Sequence, residues 1–280
     1  MMPKYLVQHR KSLGQIFLRD RLVVDQILAC AAVQPQETVL EIGPGMGILT
    51  SILAQQAQAL YAIEIDARYA QKLQQHFTSE THVHILQADA RFYDYESLPH
   101  PLVVVSNLPY SMGMAILTRL LALRHSLSRA VLMLQKEVAL RLLAAPDSSS
   151  YGALSVFFQY YATLTANFEV SRQAFTPVPA VDSMVLTLEP FTVLPWPCQD
   201  ESWLFRVVKS TFAHRRKTLR ANLLAAFPQA LSRETLAGIL TALDLDTHVR
   251  AQELAVLHFV RLAAALRPAC GPGPEPAVGG

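Results

Sequence analysis

The tetrad Asn107-Leu108-Pro109-Tyr110 follows the apolar run Leu102-Val103-Val104-Val105, so an amide, a proline and an aromatic ring sit together at the end of one strand. An exocyclic aromatic amine such as adenine N6 is a weak nucleophile, because its lone pair is delocalised into the ring. Two acceptors for its hydrogens, the side-chain carbonyl of Asn107 and the main-chain carbonyl of Leu108, would draw the nitrogen towards tetrahedral geometry while the Tyr110 ring stacks on the base. Pro109 stiffens the turn and brings no N–H of its own. The same residues also suit a plain turn after a strand, so the reading depends on what else shares the pocket.

Three upstream motifs share it. Glu41-Ile42-Gly43-Pro44-Gly45-Met46-Gly47 follows a strand pattern and opens a helix near Ile48. Glycines there permit positive φ and a close approach of backbone to ligand, and the helix start supplies unpaired N–H donors. Glu64, in Ile63-Glu64-Ile65-Asp66, ends the next strand, where a carboxylate can accept both hydroxyls of a ribose. Asp89, in Gln87-Ala88-Asp89-Ala90, closes the third strand and suits either the amine of a bound adenine or the cap of a helix. The three together point to a nucleoside cofactor without separating NAD from S-adenosylmethionine. The tetrad separates them, since hydride transfer has no use for it.

The positioning elements are strands alternating with amphipathic stretches. Apolar runs at 38–42, 60–65, 82–86, 102–106 and 130–134 are separated by helical patterns, which reads as βαβ units around a parallel sheet covered on both faces. Segments 154–164 and 183–189 read as late antiparallel strands, making the sheet mixed. Pro190, Pro195 and Pro197 mark a linker, and 201–266 is rich in Leu, Ala and Arg at helical spacing. The Pro/Gly-rich tail 268–280 reads as disordered. The expected organisation is an α/β catalytic domain over 1–192 that binds the cofactor, a helical RNA-binding domain over 193–267, and the tail.

Composition sets the outer bounds. Of 280 residues, 51% are hydrophobic, enough for a sizeable core, yet no apolar run is long enough to span a bilayer and the basic N-terminus lacks a signal-peptide pattern. A cytoplasmic protein is expected. Cys30, Cys198 and Cys270 are odd in number and far apart, which fits free thiols and neither disulfide nor zinc. The net charge of +2 is small, but Arg206, Lys209, Arg215, Arg216, Lys217 and Arg220 lie together with no acidic residue among them. On a helix pair that cluster suits RNA phosphates. Lys4, His9, Arg10 and Lys11 form a second basic arm.

The combination of Gly14-Gln15 through Leu18, the Gly-rich loop, Glu64, Asp89 and Asn107 to Tyr110 resembles the ribosomal RNA adenine dimethyltransferases. The likeness continues through 134–138, Tyr151-Gly152-Ala153-Leu154-Ser155, Phe175-Thr176-Pro177, Asp182-Ser183 and Arg215-Arg216-Lys217-Thr218-Leu219, covering about residues 9 to 265. The resemblance implies a Rossmann-like class I methyltransferase sheet, mixed and seven-stranded, with a small C-terminal all-helical domain. It implies S-adenosylmethionine held by Leu18, Gly43, Gly45, Glu64, Asp89 and Asn107. It makes Phe175 an aromatic opposite Tyr110 around a flipped adenine, a position that otherwise reads as core. The implied substrate is 16S rRNA within a precursor small ribosomal subunit, dimethylated by a monomer at two adjacent adenosines of the 3′-terminal hairpin loop. Two positions depart from the family pattern: Ile16 stands where Asn or His is usual, and Ser111-Met112-Gly113 replaces a polar triplet. With Gln15, Phe17 and Leu18 retained, a main-chain contact at position 16 is expected.

Overall fold

The computed structural model describes residues 16–109 and 112–271, which cluster into two compact units. The first takes in residues up to 139 together with 163–192, and the second 140–162 together with 193 onward. The boundary at 192/193 coincides with the proline-marked linker. Residues 140–162, placed by sequence in the N-terminal domain, cluster with the helical unit instead.

In the first unit, strands β1 (Phe17–Leu18), β2 (Thr38–Ile42), β3 (Ala59–Glu64), β4 (Val83–Gln87), β5 (Leu102–Asn107) and β6 (Leu127–Gln135) are joined by β7 (Ala162–Val170), β8 (Phe175–Thr176) and β9 (Ser183–Pro190). Seven form one sheet in the order β4-β3-β2-β5-β6-β9-β7, while β1 and β8 make an antiparallel ribbon of their own. The strands from β4 to β6 run parallel, and β9 runs antiparallel to β6. The expected mixed, seven-stranded, Rossmann-like sheet is therefore present.

Its central strands are uniformly apolar because helices cover both faces. Val39 pairs with Leu60 on one side and Val103 on the other, and all three are fully or almost fully buried. The chain moves outward from β2 to β3 and β4, then crosses to β5 and β6, so the strand order reverses between β2 and β5. At such a switch point the loops leaving the two strands part, and a crevice opens at their carboxyl ends. Helices α1 (Arg21–Ala31), α2 (Thr50–Gln56), α3 (Ala67–His76) and α4 (Gly113–Ala122) connect these strands, with Asp20 and Asp66 capping α1 and α3 by accepting N–H groups of the first turn.

One element differs in kind from its sequence reading. After α5 (Lys136–Leu143), the stretch read as a strand over 154–164 is helix α6 (Ala153–Tyr161), and β7 begins only at Ala162. Val156, Phe157, Phe158, Tyr160 and Tyr161 favour a strand by local preference. Tertiary context overrides it: the Ser155 hydroxyl accepts the Gly152 N–H and donates to the Arg141 carbonyl, and Phe158 and Tyr160 are fully buried on the helix.

The second unit adds α7 (Glu201–Thr211), α8 (Leu219–Ala226), α9 (Arg233–Ala242) and α10 (Val256–Cys270) to α6. As expected, 201–266 contains no strand. Its core is pinned by Trp203, whose indole N–H donates to the Ala263 carbonyl at 2.8 Å, and by Tyr151, whose hydroxyl donates to the Leu254 carbonyl at 2.8 Å. Helix α10 continues through Pro268 to Cys270, so the first residues assigned to the tail belong to a helix. Residues 272–280 lie outside the described residues. The three cysteines are free thiols, and no metal-ligand cluster occurs among the described residues. No helix among them is long and apolar enough to cross a membrane.

Candidate active site

The crevice at the β2/β5 switch point is open to solvent, and its empty space, open solvent included, is about 1030 Å³. Leu18, Gly43, Gly45, Glu64, Asp89, Asn107, Leu108 and Pro109 all line it, although they come from five separate stretches of chain. The remaining wall is largely apolar, with Ile16, Met46, Ile48, Ile65, Met112 and Ile116 among its residues.

The Gly-rich loop leaves β2 with Gly43 and Gly45 at φ of +72° and +54°, a region that side-chain-bearing residues rarely adopt. At Gly45 a Cβ would also stand 2.9 Å from the Phe17 ring, so the β1 segment closes directly over the loop. Gly43 lies beside the tetrad, its Cβ position 3.7 Å from Pro109 and 3.9 Å from the Asn107 carbonyl oxygen.

Glu64 is 5% exposed, and each of its carboxylate oxygens accepts one main-chain N–H, Oε2 from Gly45 at 3.0 Å and Oε1 from Asp66 at 2.8 Å. Each oxygen keeps a second lone pair for a ligand hydroxyl. Burial raises its carboxyl above the ordinary range, and the main-chain donors of Asp66 and Gly45 oppose that rise. Asp89 behaves oppositely. Its side chain accepts from the Arg91 guanidinium at 2.6 Å and from the Arg91 N–H at 2.9 Å, and that pairing holds its carboxyl below the usual value. Asp89 thus lines the cavity and holds a turn through Arg91, and no helix starts at it.

At the end of β5 the Ser106 hydroxyl donates to the Ile42 carbonyl at 2.6 Å, locking the two central strand ends together. The Leu108 N–H donates to the Met133 carbonyl, and the Pro109 carbonyl accepts from Met112 and Gly113 at the start of α4. The turn is therefore held by its own backbone, and the Asn107 amide forms no side-chain hydrogen bond within the described residues. Tyr110, like Gly14, Gln15, Ser111 and the basic arm at Lys4, His9, Arg10 and Lys11, lies outside the described residues.

Phe175 does not line the cavity. It is 2% exposed within the core of the unit, and its backbone pairs with Leu18, so its strand holds the Phe17-Leu18 wall in place. In the helical unit the basic residues divide by role. Arg215 donates to the carbonyls of Tyr151 and Ser149 at 2.7 and 2.8 Å, and Arg206 stacks on the Trp203 and Phe227 rings. Arg216 and Lys217 are exposed in the loop between α7 and α8, and Arg220 is half-buried on α8.

Sequence reasoning passed over Glu41 and Arg91. Glu41 lies within the Gly-rich motif, but it is a wall of the cavity in its own right and 2% exposed. The spacing Asp89-x-Arg91 was the available signal for the second.

Comparison with known proteins decides the family. The profile described as "Ribosomal RNA adenine dimethylase" matches residues 6–262. The chain belongs to this family. It is 40% identical over 270 residues to "Ribosomal RNA small subunit methyltransferase A" of Geobacter sulfurreducens, covering 95% of this chain and 98% of that one. The protein of the same name from Methylobacillus flagellatus is 38% identical over 259 residues, covering 91% and 96%. Among solved structures, a dimethyladenosine transferase from Plasmodium falciparum superposes with a TM-score of 0.77 at 25% identity, covering 88% of this chain and 95% of that one. The 23S rRNA methyltransferase ErmE gives 0.69 at 26%, covering 89% and 99%. The chain is thus an rRNA adenine dimethyltransferase.

Proposed function

We propose that this enzyme transfers methyl groups from S-adenosylmethionine to the N6 amines of two adjacent adenosines in the 3′-terminal hairpin loop of 16S rRNA, within a precursor small ribosomal subunit. It works as a cytoplasmic monomer in small-subunit biogenesis. The observation that carries the reading is the convergence on one cavity of the ribose-type acceptor Glu64 and the Asn107 amide, which has no side-chain hydrogen bond among the described residues.

The residues present fit that cofactor. Among the described residues its wall holds three acids and no Lys, Arg or His, which suits a ligand of net positive charge, and the Gly43 and Gly45 backbone admits close approach. Glu64 would hold the ribose hydroxyls with its remaining lone pairs, Asp89 the adenine amine, and Leu18 and Ile16 the apolar face. Ile16 lines the cavity and packs on the core, supporting apolar cover at this position rather than a side-chain hydrogen bond. The cofactor supplies an electrophilic methyl carbon on a sulfonium.

The Asn107 side-chain carbonyl and the Leu108 main-chain carbonyl accept the two amine hydrogens of the target base, and Tyr110 stacks on its face. The main-chain hydrogen bonds of Leu108 and Pro109 would keep those acceptors in place before substrate arrives. Phe175 supports this arrangement through Leu18. Arg216, Lys217 and Arg220 would engage RNA phosphates, with Arg215 holding their loop. The test is transfer of radiolabelled methyl groups to undermodified small subunits beside naked rRNA, large subunits and DNA. Label confined to adjacent adenosines of the small subunit supports the reading, and labelling of large subunits or DNA instead overturns it.

A further inference from the structure

Glu41 is a buried acid with no cationic partner among the described residues. It sits on β2 between Val105 of β5 and Ala62 of β3, at the floor of the cavity and 2% exposed. Its Oε2 is sealed from solvent and has no hydrogen-bond partner among the described residues. The Thr50 hydroxyl at the start of α2 stands near enough to favour the anion but completes no hydrogen bond with that oxygen. On the β3 side the facing charge is Glu64, of like sign. Beyond it Asp66 is occupied by Arg68, and Tyr69 of α3 is buried. Its register partner on β5 is the apolar Val105. Burial, with the Glu64 carboxylate acting in the same direction, pushes the Glu41 carboxyl up to about 8, so the unliganded site holds it neutral at pH 7.

We propose that Glu41 is a proton-linked counter-charge that distinguishes the cationic methyl donor from its uncharged thioether product, an inference that rests on the donor assignment above. S-adenosylmethionine carries a fixed sulfonium charge and is a net cation, whereas S-adenosylhomocysteine is net neutral. With no Lys, Arg or His among the described residues of the cavity wall, that fixed charge is the strongest stabiliser of an ionised Glu41 they leave available. Glu41 therefore loses its proton to solvent when the donor binds. Methyl transfer converts sulfonium to thioether and sends one amine proton to solvent. With the positive charge gone, Glu41 takes a proton back from solvent and the site no longer prefers its ligand electrostatically. Product release is favoured by the same residue that favoured donor entry.

The experiment is calorimetric titration of the whole protein with S-adenosylmethionine and, separately, S-adenosylhomocysteine, each in two buffers of different ionisation enthalpy. The native protein is expected to release close to one proton more per donor than per product at pH 7. Donor affinity is expected to rise up to about tenfold between pH 6 and pH 7, as one-proton linkage requires, while product affinity stays nearly flat. Glu64 also titrates above the ordinary carboxylate range, but it would face the ribose common to both ligands, so its contribution cancels in the difference. Glu41→Gln, isosteric and uncharged, should abolish the excess release and bring the two affinities closer together. Equal proton release for the two ligands overturns the proposal on native protein alone, whatever the variant does. So does undiminished excess release from Glu41→Gln. Failure of both ligands to bind overturns the donor assignment and this inference with it, whereas binding without excess release overturns only the inference.

Discussion

Oε2 of Glu64 accepts the main-chain N–H of Gly45 at 3.0 Å, tying the end of β3 to the Gly-rich loop nineteen residues earlier in the chain. The bond makes Glu64 both a ligand acceptor and the post on which the loop hangs. Glu64→Ala removes a charged acceptor worth about 1.5–3 kcal/mol, so donor affinity should fall roughly 10- to 100-fold by calorimetry. Unchanged affinity would show that the ribose is held elsewhere.

Gly45→Ala probes the same loop from the other side. At φ of +54° a Cβ costs about 1–2 kcal/mol in backbone strain, and here it would also meet the Phe17 ring at 2.9 Å. Phe17 must swing away, opening the wall that β1 forms. Thermal melting should show destabilisation of at least that size, together with weaker donor binding. A variant with native stability and affinity would mean that Phe17 does not seal the loop.

Asn107→Ala should leave donor affinity close to native while lowering turnover by about 10²-fold, the usual scale for one lost polar contact made in the transition state. The turn's hydrogen bonds are made by main-chain atoms of Leu108 and Pro109, so its geometry should survive the change. Parallel loss of binding and turnover would assign Asn107 to the donor instead.

The basic loop separates under mutation. Arg216→Ala with Lys217→Ala should reduce the salt dependence of RNA-particle binding by about 1.5 in log–log slope, since each phosphate contact contributes about 0.7–0.9. Melting temperature should barely move, because both side chains are exposed. Arg215→Ala should show the reverse balance, with a lower melting temperature from the lost bonds to Tyr151 and Ser149. Identical effects from the two variants would contradict this division of roles.

Much of the site was legible in the sequence because its signals are local. Strand-length apolar runs, a glycine cluster and single acids at strand ends are set by neighbouring residues. Parallel strands joined by helices must bring those ends to one edge of the sheet, which is why Gly43, Glu64, Asp89 and Asn107 meet in one cavity as expected. Tertiary structure decided whatever depends on a distant partner. An aromatic-rich stretch that favours a strand becomes α6 because Ser155 bonds Arg141 and Phe158 and Tyr160 are buried. Phe175 goes to the core rather than the cavity because β8 pairs with β1. Arg215 turns from a free charge into a tether because the carbonyls of Tyr151 and Ser149 reach it. Glu41 looks like any acid in a Gly-rich motif. Only the packing of β2 between β3 and β5 buries it, and desolvation by that packing raises its proton affinity.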